Sequence, residues 1–298
     1  MNKGLVVKSI SGEYTVYDNG NYIVCKPRGL FRHKDETIKV GDKVEYDLET
    51  KTIISYEKRI NDLVRPVCAN VIKGFVVTSV VEPDLNLNLL DKMICQLEYN
   101  NIKPIIVFTK VDLLKDQYKT KHQTIENHKY NEYIKIKEYY KKIGYTIIDT
   151  DEEHLIDNVI NYIGEDVCVM TGQSGVGKST LLNRINKDLD LKTNEISKAL
   201  GRGKHTTRHI ELFPVGKGFL GDSPGFGNLS LESFTEVAIS HAFIEFLEHS
   251  ENCKFKPCLH INEPNCKVKE LVKDGTILKS RYDNYLQFIS EYKKLKRY

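Results

Sequence analysis

Hydrophobic and polar positions divide the chain into stretches with two different periods. Up to about residue 56 the apolar positions fall in five short β-like runs, at residues 5–10, 13–17, 22–26, 43–47 and 52–56, punctuated by Gly12, Asn19-Gly20 and Gly41-Asp42. Five strands broken by turn residues at this spacing predict a small barrel of the OB type. From about residue 66, strand-like and helix-like stretches alternate. Residues 75–81 read as a strand, Leu89, Leu90, Met93, Ile94 and Leu97 recur at helical spacing, and 105–108 is again an apolar strand. A helix over 131–143, strands over 145–148 and 166–171, and a helix carrying Leu181, Leu182 and Ile185 follow. That alternation predicts a mostly parallel α/β sheet. Gly218 and Gly221 interrupt Phe219-Leu220, so a strand there is weakly marked. Tyr282, Tyr285, Phe288, Ile289 and Tyr292 place an amphipathic helix near the C-terminus.

Chemistry enters at Gly172-Gln173-Ser174-Gly175-Val176-Gly177-Lys178-Ser179, which reads G-x-x-x-x-G-K-S between a predicted strand and a predicted helix. In that context the motif is a phosphate-binding loop. Its glycines let backbone N–H groups turn towards a phosphate, and the helix N-terminus adds a favourable dipole. Lys178 would reach the β/γ-phosphates, and the Ser179 hydroxyl would ligate Mg²⁺. Thr109-Lys110-Val111-Asp112 closes an apolar strand and resembles the guanine-reading N/T-K-x-D motif. A carboxylate at Asp112 can accept from both the ring N–H and the exocyclic amine of guanine, a pair adenine does not offer. The Lys110 stem would lie along the base. Thr109 stands where Asn is usual, which alters one supporting hydrogen bond.

Residues 201–209, Gly-Arg-Gly-Lys-His-Thr-Thr-Arg-His, are basic and glycine-rich. They suit a switch loop whose threonine, assigned to Thr207, closes on Mg²⁺ when a γ-phosphate is present. Asp222-Ser223-Pro224-Gly225 reads D-x-x-G; Asp222 would hold Mg²⁺ through water, and the Gly225 N–H would sense the γ-phosphate. Many GTPases place a water-orienting Gln just after D-x-x-G, but here that position is Phe226. Intrinsic turnover is therefore expected to be slow. His205 is the nearby group able to orient water, and it is assigned a catalytic role beside Lys178; the alternative is that His205 only packs or contacts RNA.

The chain has seven cysteines, and three of them cluster as Cys253-x4-Cys258-x-His260-x5-Cys266. Three thiolates and one imidazole make a closed structural zinc set with no position left for catalysis. The segment around it has little core of its own, so metal would supply folding energy. Cys25, Cys68, Cys95 and Cys168 sit singly in apolar contexts and read as buried thiols. No secretory leader and no apolar run of 18 residues is present, so a cytoplasmic chain without a membrane span is expected. The net charge of only +3 says little about partners, but its distribution says more. Residues 252–298 hold 11 Lys and Arg against 5 Asp and Glu, and the stretch 26–34 holds Lys26, Arg28, Arg32 and Lys34 with Phe31, His33 and no acid. Such a loop is either solvated or a nucleic-acid contact, where cations meet phosphates and rings meet bases. An OB-type barrel favours RNA.

The order of these motifs is unusual: the guanine motif precedes the phosphate loop. Cutting and rejoining a sheet at surface loops leaves its core intact, so permutation is physically permissible. With Glu82-Pro83-Asp84-Leu85-Asn86, residues 172–179, 203–207 and 222–226, and the cysteine cluster, the chain resembles the circularly permuted, small-ribosomal-subunit-dependent GTPases (RsgA) over essentially its whole length. The resemblance implies three domains: an RNA-binding OB-type barrel over 1–65, a permuted P-loop GTPase domain over 66–228, and a helical zinc-binding domain over 229–298. It implies GTP hydrolysis to GDP and phosphate, stimulated by the small (30S) subunit during its late maturation, by a monomer. GTP would be held by Thr109, Lys110, Asp112, Gly172, Gln173, Ser174, Gly175, Val176, Gly177, Lys178, Ser179, Thr180, Asp222 and Gly225, with magnesium on Ser179, Thr207 and Asp222. Ser223 departs from the family's Thr and Gly221 from an apolar residue. No Ser-Ala guanine-backing motif is recognisable near residues 148–151, so base affinity is expected to be looser than the family norm. Two other readings stay open: an RNA-binding nucleotide switch with negligible turnover, and an ATP-dependent enzyme with a coincidental Thr-Lys-Val-Asp.

Overall fold

The computed structural model describes residues 1–29, 31, 37–63, 67–120, 124–188, 210–222 and 229–296. The chain divides into two compact units, one of Met1–Phe75, Glu153–Thr171 and Lys178–Asn228, the other of Val76–Glu152, Gly172–Gly177 and Leu229–Tyr298.

The first unit opens with strands β1 (Asn2–Ile10), β2 (Glu13–Asp18), β3 (Asn21–Pro27), β4 (Lys43–Asp47) and β5 (Thr52–Tyr56). They close into a barrel in the order β1-β2-β3-β5-β4, the predicted OB-like architecture. Closure requires β3 to pair in parallel with β5, through Lys26↔Thr52 and Pro27↔Ile53. The inward positions, Val6, Val16, Cys25, Val44, Tyr46 and Ile53, alternate with outward ones as the pleat demands, and they form the barrel core. Two-residue strands β6 (Asp62–Leu63) and β7 (Cys68–Ala69) pair after the barrel.

Next come β8 (Val71–Ser79), helix α1 (Leu87–Tyr99), β9 (Lys103–Thr109), α2 (Val111–Thr120), α3 (Thr124–Lys142), β10 (Thr146–Asp149), α4 (Leu155–Ile163), β11 (Val167–Thr171) and α5 (Lys178–Asp188). Strands β12 (Leu212–Val215) and β13 (Gly218–Asp222) follow. Six strands make one sheet, in the order β10-β9-β8-β11-β13-β12. β10 runs parallel to β9 and β13 parallel to β11, while β12 is an antiparallel edge. Every residue of β11 is buried, as expected for a strand covered on both faces. The weakly marked strand at Phe219-Leu220 does form, and its glycines are the reason it fits. A Cβ on Gly218 would sit 2.7 Å from the Asp166 carbonyl oxygen, and one on Gly221 would sit 2.9 Å from Leu212 Cδ2. Four helices complete the chain: α6 (Glu236–His241), α7 (Ile244–Ser250), α8 (Lys267–Lys273) and α9 (Lys279–Leu295). Among the described residues, no helix is long and apolar enough to cross a membrane.

In the second unit, α1 is started by Asn86, whose side chain accepts from the Leu89 N–H at 3.0 Å. It buries Leu90, Met93, Ile94 and Leu97 on one face. Asp91 lies in that buried face, at 1% exposure, and meets Arg281 of α9 at 2.7 Å. Arg281 also pairs in fork geometry with Glu245 of α7, Nε to Oε1 and Nη2 to Oε2, both at 2.8 Å. The Tyr140 hydroxyl of α3 donates to Asp91, and Asn284 donates to its other oxygen at 2.6 Å. The guanidinium carbon lies 4.5 Å from the centre of the Phe243 ring. Burial alone would drive the pKa of Arg281 down; Asp91 and Glu245 reverse this and hold it well above its ordinary value. One cation thus joins four helices.

Removing that cation while leaving two buried carboxylates should be costly. Arg281→Met is expected to lower the unfolding free energy of the full chain by about 3–5 kcal/mol, the usual result of breaking a buried pair on one side. Urea denaturation checks this, and a loss under about 1 kcal/mol, the ceiling for an exposed pair, would show that the network is not needed.

Candidate nucleotide site and metal cluster

Within the second unit, the buried apolar strand β9 delivers Thr109 to its carboxyl end, the usual edge for ligand sites in α/β sheets. Thr109 is buried, and its hydroxyl donates to the Val176 carbonyl at 2.5 Å, with the Thr78 carbonyl 3.3 Å away. The residue that replaces the usual Asn therefore ties the guanine motif to the phosphate loop. Lys110 adopts a left-handed backbone (φ 60°), and its ammonium donates to the Glu82 carbonyl. Asp112 is exposed in the first turn of α2. The loop comes within van der Waals range of β8: a Cβ on Gly172 would lie 2.2 Å from the Val77 carbonyl oxygen, so only glycine fits. Gln173, Ser174 and Gly175 are exposed, and Val176 is buried beneath them. At the end of β10 both acids are occupied. Asp149 accepts from Tyr133 at 2.6 Å and Lys137 at 2.5 Å, and Asp151 accepts from Lys115 at 2.6 Å.

Within the first unit, Lys178, Ser179 and Thr180 form the first turn of α5, with Ser179 and Thr180 exposed. β13 ends on Asp222, whose Oδ1 is buried and has no hydrogen-bond partner among the described residues. Burial raises the Asp222 pKa, an effect Lys178 partly offsets; burial lowers that of Lys178, and Asp222 partly offsets this. An orphaned carboxylate oxygen in the same unit as an exposed serine hydroxyl on a helix N-terminus suits a hard, oxygen-seeking cation such as Mg²⁺. Thr207, His205 and Gly225 lie outside the described residues, as do Arg32 and Lys34.

In the barrel, Lys26 and Arg28 are exposed, and Lys26 lies 3.5 Å from Glu13. Phe31 is not a free stacking surface: it packs on the barrel core, with its ring centre 5.9 Å from that of Tyr56. The four isolated cysteines are all buried, and burial raises each thiol pKa.

Cys253, Cys258, His260 and Cys266 are brought together, their ligand atoms all within 4.8 Å of one another. His260 Nδ1 lies 3.6 Å from Cys253 Sγ and 3.2 Å from Cys266 Sγ, and those two sulfurs are 3.9 Å apart. A tetrahedral ion about 2.3 Å from sulfur and 2.0 Å from nitrogen requires separations of this order. Burial lowers the His260 pKa to about 4, leaving the imidazole neutral with a lone pair to give, and it raises Cys258 to about 12. The donor set and spacing are compatible with a metal site. Tyr282 and Tyr285 of α9 donate to the carbonyls of His260 and Leu259, so the cluster is also fixed from outside.

The sequence alone did not expose the Arg281 cluster. Asp91 in an apolar helix stripe was its visible trace, but its partner lies 190 residues further along the chain.

Comparison with known proteins agrees with this geometry. The family model described as RsgA GTPase matches residues 49–232, and that described as RsgA N-terminal domain matches residues 3–53. A small ribosomal subunit biogenesis GTPase RsgA of Geobacillus sp. (strain WCH70) is 44% identical over 301 residues, covering 99% of both chains. The protein of the same name from Enterococcus faecalis (strain ATCC 700802 / V583) is 41% identical over 97% of this chain and 95% of its own. Two solved structures superpose along the chain. YloQ, described as a circularly permuted GTPase, has a TM-score of 0.79 at 32% identity, covering 99% of this chain and 96% of that one. YjeQ from Thermotoga maritima has a TM-score of 0.78 at 32% identity, covering 98% of each. With a phosphate loop that follows its guanine motif, on a permuted sheet joined to an OB-like barrel, this chain belongs to the RsgA GTPase family.

Proposed function

We propose that the protein binds GTP with Mg²⁺, docks on the small ribosomal subunit, and hydrolyses GTP to GDP and phosphate during a late step of that subunit's maturation. The observation that carries this is the Thr109 hydroxyl bonded to the Val176 carbonyl, which couples a guanine-reading strand end to a phosphate loop. The family relatives' names supply the subunit. In this reading Asp112 reads guanine, Lys110 lies along it, and the backbone of residues 172–177 with Lys178 holds the phosphates, with Thr180 beside them. Ser179, Asp222 and Thr207 would hold magnesium, which when bound neutralises phosphate charge. Gly225 senses the γ-phosphate and His205 orients the attacking water. Zinc would be held by Cys253, Cys258, His260 and Cys266 as a structural ion.

Asp112→Asn tests the base assignment. It should weaken GTP binding about a hundredfold or more, since two hydrogen bonds to a charged group contribute about 1.5–3 kcal/mol each, and it should create binding of xanthosine nucleotides. Unchanged GTP affinity in titration calorimetry would remove Asp112 from the site.

Metal analysis of the purified protein should return one zinc per chain. Removing it with a chelator should expose residues 250–298 to protease. A zinc-free chain in which that region stays resistant would contradict the assignment.

Subunit docking is tested by co-sedimentation with small and large subunits in the presence of a non-hydrolysable GTP analogue. The protein should pellet with small subunits only. Neutralising Arg28, Arg32 and Lys34 should weaken that binding and reduce its salt slope by roughly 0.7–0.9 per lost phosphate contact. His205→Ala should keep binding but lose the stimulated single-turnover rate. Equal pelleting with large subunits, or an unchanged salt slope, would overturn the docking reading, and a wild-type rate in His205→Ala would remove His205 from the chemistry.

A further inference from the structure

The barrel and the hairpin β12–β13 belong to the same compact unit, and a specific contact joins them. Lys8 of β1 places its ammonium 2.9 Å from one Glu211 carboxylate oxygen and 3.0 Å from the other. Both side chains are about one-third exposed, at 36% and 30%. Tyr17 of β2 presents its ring edge-on to Phe219 of β13, with centres 5.1 Å apart, and Tyr22 of β3 packs edge-on to Tyr17 at 5.3 Å. The Tyr22 hydroxyl has its pKa raised by burial first, then by Tyr17 and Glu211, which places Glu211 against the same barrel face. Strands β1 and β2 thus both bear on one hairpin, with Tyr22 of β3 packed against Tyr17.

The position of that hairpin gives the contact its meaning. Glu211 lies two residues beyond the basic glycine-rich segment 201–209, and Phe219 lies three residues before Asp222. The strand carrying Phe219 has little room to shift elsewhere. Its N-terminal end is bonded to Asp166 through the Phe219 N–H at 2.9 Å, and Gly218 and Gly221 admit no side chain without a clash. A displacement imposed at Phe219 would therefore be carried along β13 towards Asp222.

We propose that the Lys8–Glu211 ion pair and the Tyr17–Phe219 ring contact are the positioning link through which RNA bound on the barrel acts on the nucleotide site, by setting β13 and with it Asp222. This rests on the reading of the protein as a subunit-stimulated GTPase. Lys8 and Glu211 touch neither nucleotide nor magnesium in that reading. They are positioning residues, and their contribution appears only when RNA occupies the barrel.

The experiment is a charge exchange in the full-length protein. Lys8→Glu and Glu211→Lys each replace attraction by repulsion at a partly exposed site, where neither change removes core packing. Basal hydrolysis, GTP affinity and small-subunit binding should equal wild type. The subunit-stimulated single-turnover rate should fall about fivefold or more, at the lower end of measured allosteric couplings. The double variant Lys8→Glu/Glu211→Lys should recover at least half of the wild-type stimulated rate. Stimulated rates equal to wild type in both single variants would overturn the link. So would a basal rate that falls in parallel, which marks a purely structural contact, or loss of subunit binding in the single variants, which marks a docking surface. A double variant that stays slow would remove this pair from the link. Wild-type protein that small subunits fail to stimulate would instead overturn the functional reading itself, and the link with it.

Discussion

The close approach of the phosphate loop to strand β8 is the constraint on which the rest of the site depends. Gly172 fits only because it has no Cβ to meet the Val77 carbonyl. The Thr109 hydroxyl also bonds the loop that follows, at the Val176 carbonyl. Because this bond takes a loop carbonyl as its acceptor, it draws on none of the loop's N–H groups. The Thr109-Lys110-Val111-Asp112 end of β9 and the loop thereby share one anchor, although 62 residues of chain lie between Thr109 and Gly172.

The C-terminal helices add a second constraint of a different kind. Arg281 is a cation with almost no access to water, and two carboxylates, a tyrosine ring and a phenylalanine ring surround it. A buried pair of this sort specifies geometry more than it adds stability, because desolvation offsets much of the attraction. Its partners come from α1, α3 and α7, so α9, which follows the Cys₃His cluster in the chain, is set in register with those helices. The cluster itself is fixed by Tyr282 and Tyr285, one and four residues beyond Arg281 on the same helix. Ion network and Cys₃His cluster are thus both tied to α9, through Arg281 on one side and Tyr282 and Tyr285 on the other.

Much of this was legible in the chain, because its signals were local. Five alternating runs marked the barrel, and the G-x-x-x-x-G-K-S string, the Thr-Lys-Val-Asp string and the Cys₃His set each fell within a short stretch of chain. Helix α4 was missed although Leu155, Ile156, Val159 and Ile163 carry its spacing, because its first turn follows a polar stretch that reads as loop. Helix α3 begins at Thr124 rather than near 131, since its first residues are polar and carry no apolar period. β13 looked broken at its glycines, yet close approach of neighbouring atoms is what makes glycine necessary there. The bonds made by Thr109, Asp91 and Lys8 were invisible for a common reason: each joins residues dozens to hundreds of positions apart, and a single sequence does not encode which partner arrives.

GTP turnover by the full chain, compared alone, with isolated small subunits and with isolated large subunits, tests the central claim most directly. The account predicts slow hydrolysis alone and with large subunits, marked acceleration with small subunits, and no competition by ATP. Equal rates in all three mixtures, or ATP hydrolysed as readily as GTP, would contradict it.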